Sequence, residues 1–236
     1  MPIDLICLDA DDTLWHNMRH FNATEEALLA MLQPFAEAHI TREKLNACEA
    51  RNLKLYGYGA KGFTLSMIET AVELAGDNLS RGLVADILEA GRALLSHPVI
   101  LFDGVEDTLE ALADRGRLIL VTKGDLLHQE AKLAASGLGD RFSGIEIVSD
   151  KNVGTFQRLF AQYGVAPDQA VMAGDSMRSD VLPALEAGAW AAYIPQEGAW
   201  SHEAGTPPHT HARFRELGAL ADLPGWIDVI GQEQDR

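Results

Sequence analysis

The sequence predicts an α/β protein, with a doubly wound parallel sheet and a block of helices inserted after its first strand. Three observations predict this fold class. From residue 104 onward, short apolar runs alternate with helical patterns. Several of those helices end at a glycine, as helices in βαβ units often do. One further apolar run stands alone near the N-terminus, and residues 22–96 after it carry only helical periodicity.

The first half of the chain supplies one strand and the inserted helices. Residues 3–9 form an apolar run and predict the first strand. Apolar residues three and four apart predict four amphipathic helices, at 23–37, 42–55, 65–74 and 81–95. Pro98 is a natural stop after the last of them. We therefore predict a core domain of residues 1–15 and 98–236, and a helical domain of residues 16–97.

The second half of the chain alternates strictly between the two kinds of element. Helices are predicted at 105–114, 126–136, 153–163 and 181–187. Strands are predicted at 118–121, 145–148, 170–173 and 190–194. Residues 197–212, rich in Gly, Pro and His, predict a surface loop, and residues 217–230 a short segment packed on the core.

Composition limits the kinds of partner. The 236 residues carry a formal net charge of -16, which argues against a general nucleic-acid or anionic-membrane surface. A small phosphorylated metabolite is still compatible, because a metal and a few basic residues can reverse the local field. Cys7 and Cys48 are not part of a CxxC motif, so we expect reduced, structural thiols in a cytoplasmic protein. We expect no signal peptide and no membrane span, and the oligomeric state stays open.

Four predicted strands are each followed by polar or charged residues. These residues are Asp9, Asp11 and Asp12 after the first strand, Thr122 and Lys123 after the second, Lys151 after the third, and Asp175 and Asp180 after the fourth. The carboxyl ends of parallel strands meet at one edge of a doubly wound sheet, so these side chains are expected to converge there. Carboxylates, a hydroxyl and an ammonium group suit phosphoryl transfer through an aspartyl phosphate with Mg²⁺.

The four motifs, in this order, resemble those of the haloacid dehalogenase (HAD) superfamily, most of whose members are Mg²⁺-dependent phosphatases. The resemblance covers residues 3–14 and 100–195, and the insert resembles the helical cap of that superfamily. It implies a Rossmann-like, HAD-type core with an α-helical cap. It also implies a phosphatase that hydrolyses a small phosphomonoester through an aspartyl phosphate on Asp9.

The resemblance also implies roles for individual residues. Asp9 would attack phosphorus, and Asp11 would protonate the leaving oxygen and then activate water. Thr122 would donate a hydrogen bond to a phosphoryl oxygen. Lys151 would neutralise charge at the phosphate, and Lys123 is a rival for that ammonium role and a second substrate-binding residue.

A magnesium site is implied by the same resemblance. Asp9, the backbone carbonyl of Asp11, and Asp175 would bind Mg²⁺, and Asp180 would act in the outer shell. Asp12 departs from the family pattern, which most often has Gly there. Asp tolerates unusual backbone angles better than most residues, so the turn can survive. Whether the extra carboxylate tunes the metal or contacts substrate is open.

Two other functions stay open on the same residues. A mutase would transfer the phosphoryl group within a sugar phosphate, and a non-catalytic binding protein would keep the fold without turnover. The presence of Asp11 favours phosphate chemistry over carbon–halogen cleavage, because dehalogenases of the superfamily lack an acid at that position.

Further residues are weaker candidates for a site. Residues 57–62 match GxGxxG but follow a helical pattern, which favours a loop between helices; a substrate-facing role for Tyr56, Tyr58 and Lys61 stays open. The remaining candidates are five histidines and an arginine: His16, Arg19, His20, His202, His209 and His211. They could reach a crevice or a metal, but a solvated or structural role is expected for each.

Overall fold

The computed structural model describes residues 2–196, 198, 200 and 203–234. These residues form two compact units. The core unit takes in the described residues of Met1–Met18, Val99–Lys123 and Gln129–Arg236. The helical unit consists of Arg19–Pro98 and Gly124–His128.

One parallel sheet of six strands runs through the described part of the core unit. The strands are β1 (Leu5–Leu8), β2 (Arg117–Lys123), β3 (Gly144–Val148), β4 (Ala170–Gly174), β5 (Trp190–Tyr193) and β6 (Phe214–Glu216). Their order is β3-β2-β1-β4-β5-β6, and neighbouring strands pair in parallel. The order reverses beside β1, where doubly wound sheets have their ligand crevice. The predicted α/β fold class is confirmed.

The helices flank the sheet or form the helical unit. In the described residues they are α1 (Met18–Leu32), α2 (Ala38–Tyr56), α3 (Ala60–Ala75), α4 (Arg81–Leu95), α5 (Val105–Ala113), α6 (Leu126–Ser136), α7 (Val153–Tyr163), α8 (Leu182–Glu186) and α9 (Leu223–Gln234). A π-helical turn, Met177–Val181, leads into α8. Such turns are rare and occur often at functional sites.

The apolar character of β1 follows from burial on both faces of the sheet. Ile6 and Leu8 lie in one buried cluster, whereas Leu5 and Cys7 lie in another. Successive strand residues point to opposite faces, so a strand covered on both sides has no polar position. The register then places Leu8 opposite both Leu120 and Ala173. The residues that follow these positions therefore emerge at the same edge of the sheet.

Some element boundaries differ from the sequence prediction. The first inserted helix was predicted at 23–37 but spans Met18–Leu32. Pro34 explains its early end, because the residue before a proline disfavours the helical conformation. The last predicted core helix starts earlier, as the π-helical turn. Strand β6 was not predicted, because only Phe214 of its three residues is buried.

The helical unit has its own apolar core. Residues from α1, α2, α3 and α4 form it, among them Leu28, Leu45, Met67 and Ile87. The thiol of Cys48 in α2 is buried, and burial raises its pKa to about 11. No helix in the described ranges is both long enough and apolar enough to cross a membrane.

Candidate active site

Lys151 joins Asp9 to Asp180 in the interior of the core unit. Its ammonium donates a hydrogen bond to Asp9 and another to Oδ1 of Asp180, the second at 2.7 Å. All three side chains are buried. Taking charges out of water is costly, so this lysine is stable in the interior only in the company of carboxylates. The structure therefore brings the predicted cation to the predicted nucleophile.

Burial and charge shift the pKa values of this group. Burial disfavours the Lys151 ammonium, but Asp180 and Asp9 outweigh that effect and raise its pKa above the usual value. Burial also raises the pKa of Asp9; Lys151 opposes the rise, and the carboxylate of Asp180 adds to it. The two carboxylates therefore favour the charged form of Lys151, and further positive charge near Asp9 would favour its ionised form.

Three carboxylates form a cluster that fits a divalent cation. One oxygen from each of Asp9, Asp175 and Asp180 lies within 4.8 Å of the other two. Burial, followed by the carboxylates of Asp9 and Asp180, raises the pKa of Asp175 well above its ordinary value. Carboxylates this close repel one another, and oxygen ligands are those that Mg²⁺ prefers. The donor set therefore suits the predicted metal.

Thr13 fixes the Asp9 carboxylate against the loop after β4. Its hydroxyl donates to Oδ2 of Asp9 at 3.2 Å and accepts from the N–H of Asp175 at 3.1 Å. The side chain is 2% exposed. One hydroxyl thus holds both carboxylate-bearing loops in place.

Asp11 is turned towards α6 and away from the carboxylate cluster. The Lys132 ammonium lies 2.6 Å from each of its carboxylate oxygens. Trp15 Nε1 donates to Oδ1 at 2.6 Å, and Gln129 Nε2 donates to Oδ2 at 3.1 Å. Burial alone would raise the pKa of Asp11, but Lys132 and these hydrogen bonds hold it below its usual value.

Thr122 lies in the same network as Asp11. Its hydroxyl, on a side chain 2% exposed, accepts a hydrogen bond from Gln129 Nε2 at 2.7 Å. Gln129 therefore bridges Thr122 and Asp11. Its Oε1 is buried and has no hydrogen-bond partner among the described residues. That oxygen is an acceptor available to a group entering the site.

Asp12 has a structural role that accounts for its place in the turn. It is the non-glycine residue with a positive φ, 58°, in the described chain. Its carboxylate accepts hydrogen bonds from the N–H groups of Asn17 and Met18, at the start of α1. Asp tolerates the left-handed region and is a strong helix cap. The residue that departs from the family pattern therefore keeps the turn and starts the helix.

Lys123 is engaged by a residue that the sequence did not suggest. Its ammonium donates to Glu203 and to the Ser179 hydroxyl, the latter at 2.6 Å. Glu203 lies in the stretch predicted as a surface loop, yet its side chain is only 12% exposed. Lys123 is thus held by a carboxylate of the protein itself.

The other candidates have contacts of a different kind. The first half of the GxGxxG segment, residues 57–59, connects α2 to α3, and its second half forms the first turn of α3. Lys61 in that turn donates to both carboxylate oxygens of Asp125 at 2.9 Å, within the helical unit. Two of the three late histidines, His209 and His211, are exposed, and His202 lies outside the described residues. The His16 ring packs against Phe102 at an interplanar angle of 51°, and Arg19 Nε donates to His20.

Two residues that the sequence analysis missed lie far along the chain from Asp11: Gln129 is 118 residues away and Lys132 is 121 residues away. Gln129 and Lys132 are buried on α6. Their spacing of three places them on one helix face, and two polar residues on a face that packs against the core were the available signal. Glu203 has no such signal, because its segment is irregular.

A family model of haloacid dehalogenase-like hydrolases matches residues 3–188. The chain belongs to this family. A relative of this haloacid dehalogenase-like hydrolase, the phosphoserine phosphatase of Thermus thermophilus, is 30% identical over 223 residues, 80% of this chain and 88% of the relative. The N-acylneuraminate-9-phosphatase of Mus musculus is 27% identical over 169 residues, 69% of this chain and 66% of the relative.

Solved structures give the same result for this haloacid dehalogenase-like hydrolase. A family member from Xanthomonas campestris is 37% identical, with a TM-score of 0.90, and the match covers 100% of this chain and 94% of that one. Solved haloacid dehalogenases at 18–24% identity share the fold alone. The predicted superfamily is confirmed, and the two named relatives are phosphatases.

Proposed function

We propose that this hydrolase is a Mg²⁺-dependent phosphatase that acts on a small phosphomonoester through an aspartyl phosphate on Asp9. The observation that carries the proposal is that the two carboxylates after β1 have separate partners. Asp9 contacts Lys151 and lies in the carboxylate cluster, whereas Asp11 contacts Lys132 outside it. One carboxylate can therefore attack while the other moves protons.

The first half of the proposed reaction forms the aspartyl phosphate. An oxygen of Asp9 attacks phosphorus, and the bond between phosphorus and the ester oxygen breaks. Asp11 in its protonated form, with a proton taken from solvent before the step, gives that proton to the departing oxygen and becomes the carboxylate. The Thr122 hydroxyl and the Lys151 ammonium donate to phosphoryl oxygens, where negative charge must be stabilised.

The second half releases inorganic phosphate. Water attacks phosphorus, Asp11 accepts the water proton, and the bond between phosphorus and Asp9 breaks. The two roles of Asp11 need opposite protonation states. Lys132 favours the ionised state, which is the one that accepts the proton.

Mg²⁺ would be held by Asp9, Asp175 and the backbone carbonyl of Asp11. Bound there, it would supply positive charge that reduces the repulsion between Asp9 and the phosphate. Asp180 accepts from Lys151 on one oxygen and from the N–H of Ser176 on the other. These contacts position Lys151 and the turn after β4, which suits the outer-shell role that the family resemblance implies for Asp180.

Inorganic phosphate release tests the proposal. The panel contains sugar, nucleotide and short organic phosphomonoesters with and without Mg²⁺, including phosphoserine and N-acylneuraminate 9-phosphate because of the named relatives. Asp9→Asn, nearly the same shape without the nucleophile, is the matched control, and its thermal unfolding verifies that it folds. Release that needs both Mg²⁺ and Asp9 is expected.

Other outcomes would replace the proposal. Halide release from a 2-haloacid, without phosphate release, would make the protein a dehalogenase. Phosphate retained on an isomeric product would support the mutase. We also propose that the helical unit, as the inserted cap implied by the family resemblance, selects the substrate, so exchanging residues 19–98 with a relative should change the preferred ester and leave Asp9 essential.

A further inference from the structure

Glu203 is a buried carboxylate with a complete set of donors. Lys123 donates to Oε1, and the hydroxyls of Ser176 and Ser179 donate to Oε2, the Ser179 contact being 2.5 Å. Lys123 also donates to Ser179 Oγ at 2.6 Å, so Lys123, Ser179 and Glu203 close a ring, and Ser176 adds a second hydroxyl to the same carboxylate. An ammonium and two hydroxyl groups converging on one carboxylate are what a binding site for a small oxyanion contains.

The surroundings of this carboxylate favour its ionised form. Burial alone would raise the pKa of Glu203, but Lys123 and the two serine hydroxyls outweigh it and hold the pKa below its usual value. An ionised carboxylate with an exposure of 12% stays in place only while its donors remain. Glu203 and its donors therefore stabilise one another's positions.

A continuous chain of contacts runs from this ring to the nucleophile. Ser176 Oγ accepts from the N–H of Ser179 at 2.9 Å, and the N–H of Ser176 donates to Oδ2 of Asp180 at 3.0 Å. Asp180 accepts from Lys151, which donates to Asp9. The turn that Glu203 holds is thus the turn that orients Asp180.

We propose that Glu203 is a positioning residue of the active site, and that Lys123, Ser176 and Ser179 form a carboxylate-binding site that Glu203 fills from within the chain. The proposal rests on the proposed function. Glu203 touches none of the reacting atoms; it acts through Ser176 and Asp180. Because Glu203 fills this site, the Lys123 ammonium is directed at a carboxylate of the protein itself.

The test removes the carboxylate and then supplies it from solution. Glu203→Ala should lower kcat about 10- to 100-fold, because a buried charged hydrogen-bond acceptor is lost. Added formate or acetate should restore kcat saturably, whereas chloride at the same ionic strength should not. Glu110→Ala, an exposed glutamate of the core unit, is the matched control and should respond to neither salt.

A second measurement does not depend on turnover. Acetate should raise the unfolding temperature of Glu203→Ala saturably, and should leave the wild-type protein and Glu110→Ala unchanged. If the wild-type protein releases no phosphate, the proposed function fails, but this thermal arm still tests the carboxylate site. If the wild-type protein turns over substrate but acetate neither stabilises nor reactivates Glu203→Ala, the carboxylate-site inference is overturned and the proposed function is not.

Glu203→Gln covers the case in which the Ala variant does not fold. It keeps the shape and loses the charge, so kcat should fall, and acetate should not rescue it because the amide still fills the site. A Gln variant with kcat within about twofold of wild type would overturn the positioning role, because that role depends on the charge and on both oxygens of the carboxylate.

Discussion

The Lys132 ammonium lies 2.6 Å from both carboxylate oxygens of Asp11. Its side chain is 5% exposed, and Asn17 Oδ1 accepts from it at 3.3 Å. A buried ion pair adds little to the net free energy of folding, because the cost of desolvation offsets much of the attraction between the charges. Its main effect is to fix the positions of the two side chains. Lys132 therefore holds the Asp11 carboxylate in its orientation and favours its ionised, proton-accepting state.

Replacing Lys132 by Met should lower turnover strongly. Met keeps much of the volume but removes the ammonium, so only Trp15 and Gln129 still hold the Asp11 carboxylate and it can shift from its position. A misplaced acid–base group costs about 100-fold or more per ångström, and we expect kcat to fall by at least tenfold. Steady-state phosphate release measures it. Lys132→Arg should keep more activity than Lys132→Met. If both variants have the kcat of the wild-type protein, Lys132 has no role in the mechanism.

Gly174, the last residue of β4, should not tolerate a side chain. A Cβ there would lie 2.1 Å from Oδ2 and 2.5 Å from Cγ of Asp180, both of which must then move. Gly174→Ala should therefore break the contacts that Asp180 makes with Lys151 and Ser176. We expect weaker Mg²⁺ binding, seen as a higher Mg²⁺ concentration for half-maximal activity, and a fall in kcat of about tenfold or more.

Gly139→Ala is the matched control for Gly174→Ala, because a Cβ at Gly139 meets nothing within 4 Å. It should leave both the Mg²⁺ titration and kcat unchanged. The two variants are compared by phosphate release at increasing Mg²⁺ concentration. A Gly174→Ala protein that matches Gly139→Ala would mean that Asp180 is free to move without consequence.

Much of the site could be predicted because strand ends in a parallel sheet converge by register. Once β1 pairs with β2 and β4, Asp9, Thr122 and Asp175 must emerge at one edge. Lys132 and Glu203 could not be placed this way. Lys132 lies 121 residues from Asp11, and Glu203 lies 80 residues from Lys123 in an irregular segment. No periodic pattern determines which side chain such a segment turns inward.

Asp12 should show a graded response to substitution. Asn also tolerates a positive φ and can accept the hydrogen bonds of Asn17 and Met18, so Asp12→Asn should cost least. Gly loses only the cap. Ala loses the cap and must also adopt a φ of 58°, so it should cost most, about 1 to 3 kcal/mol of the free energy of unfolding. Urea unfolding of the three variants gives the order, and an Ala variant more stable than Gly would contradict it.

The pH dependence of stability should depend in part on Glu49 in α2. Burial, with a smaller contribution from the Glu25 carboxylate, raises the pKa of Glu49 from 4.5 to about 7. The folded state therefore binds this proton more tightly than the unfolded state does. Consequently, its contribution to stability is full below pH 4.5 and is lost as pH rises towards about 7.

Glu49→Gln removes that titration and should be more stable than wild type at about pH 8, by about 1 kcal/mol once partial solvent screening of the side chain is allowed for. At about pH 5 the folded wild-type carboxyl is mostly protonated, so the two proteins should then differ little. Thermal unfolding at both pH values measures the difference. Glu43→Gln, an exposed position on the same helix, is the control and should not change the pH dependence. The prediction is contradicted if the stability difference between Glu49→Gln and wild type is the same at both pH values. That result would show that Glu49 is ionised in the folded protein at both pH values, because only a carboxyl that is protonated in the folded state can make this difference depend on pH.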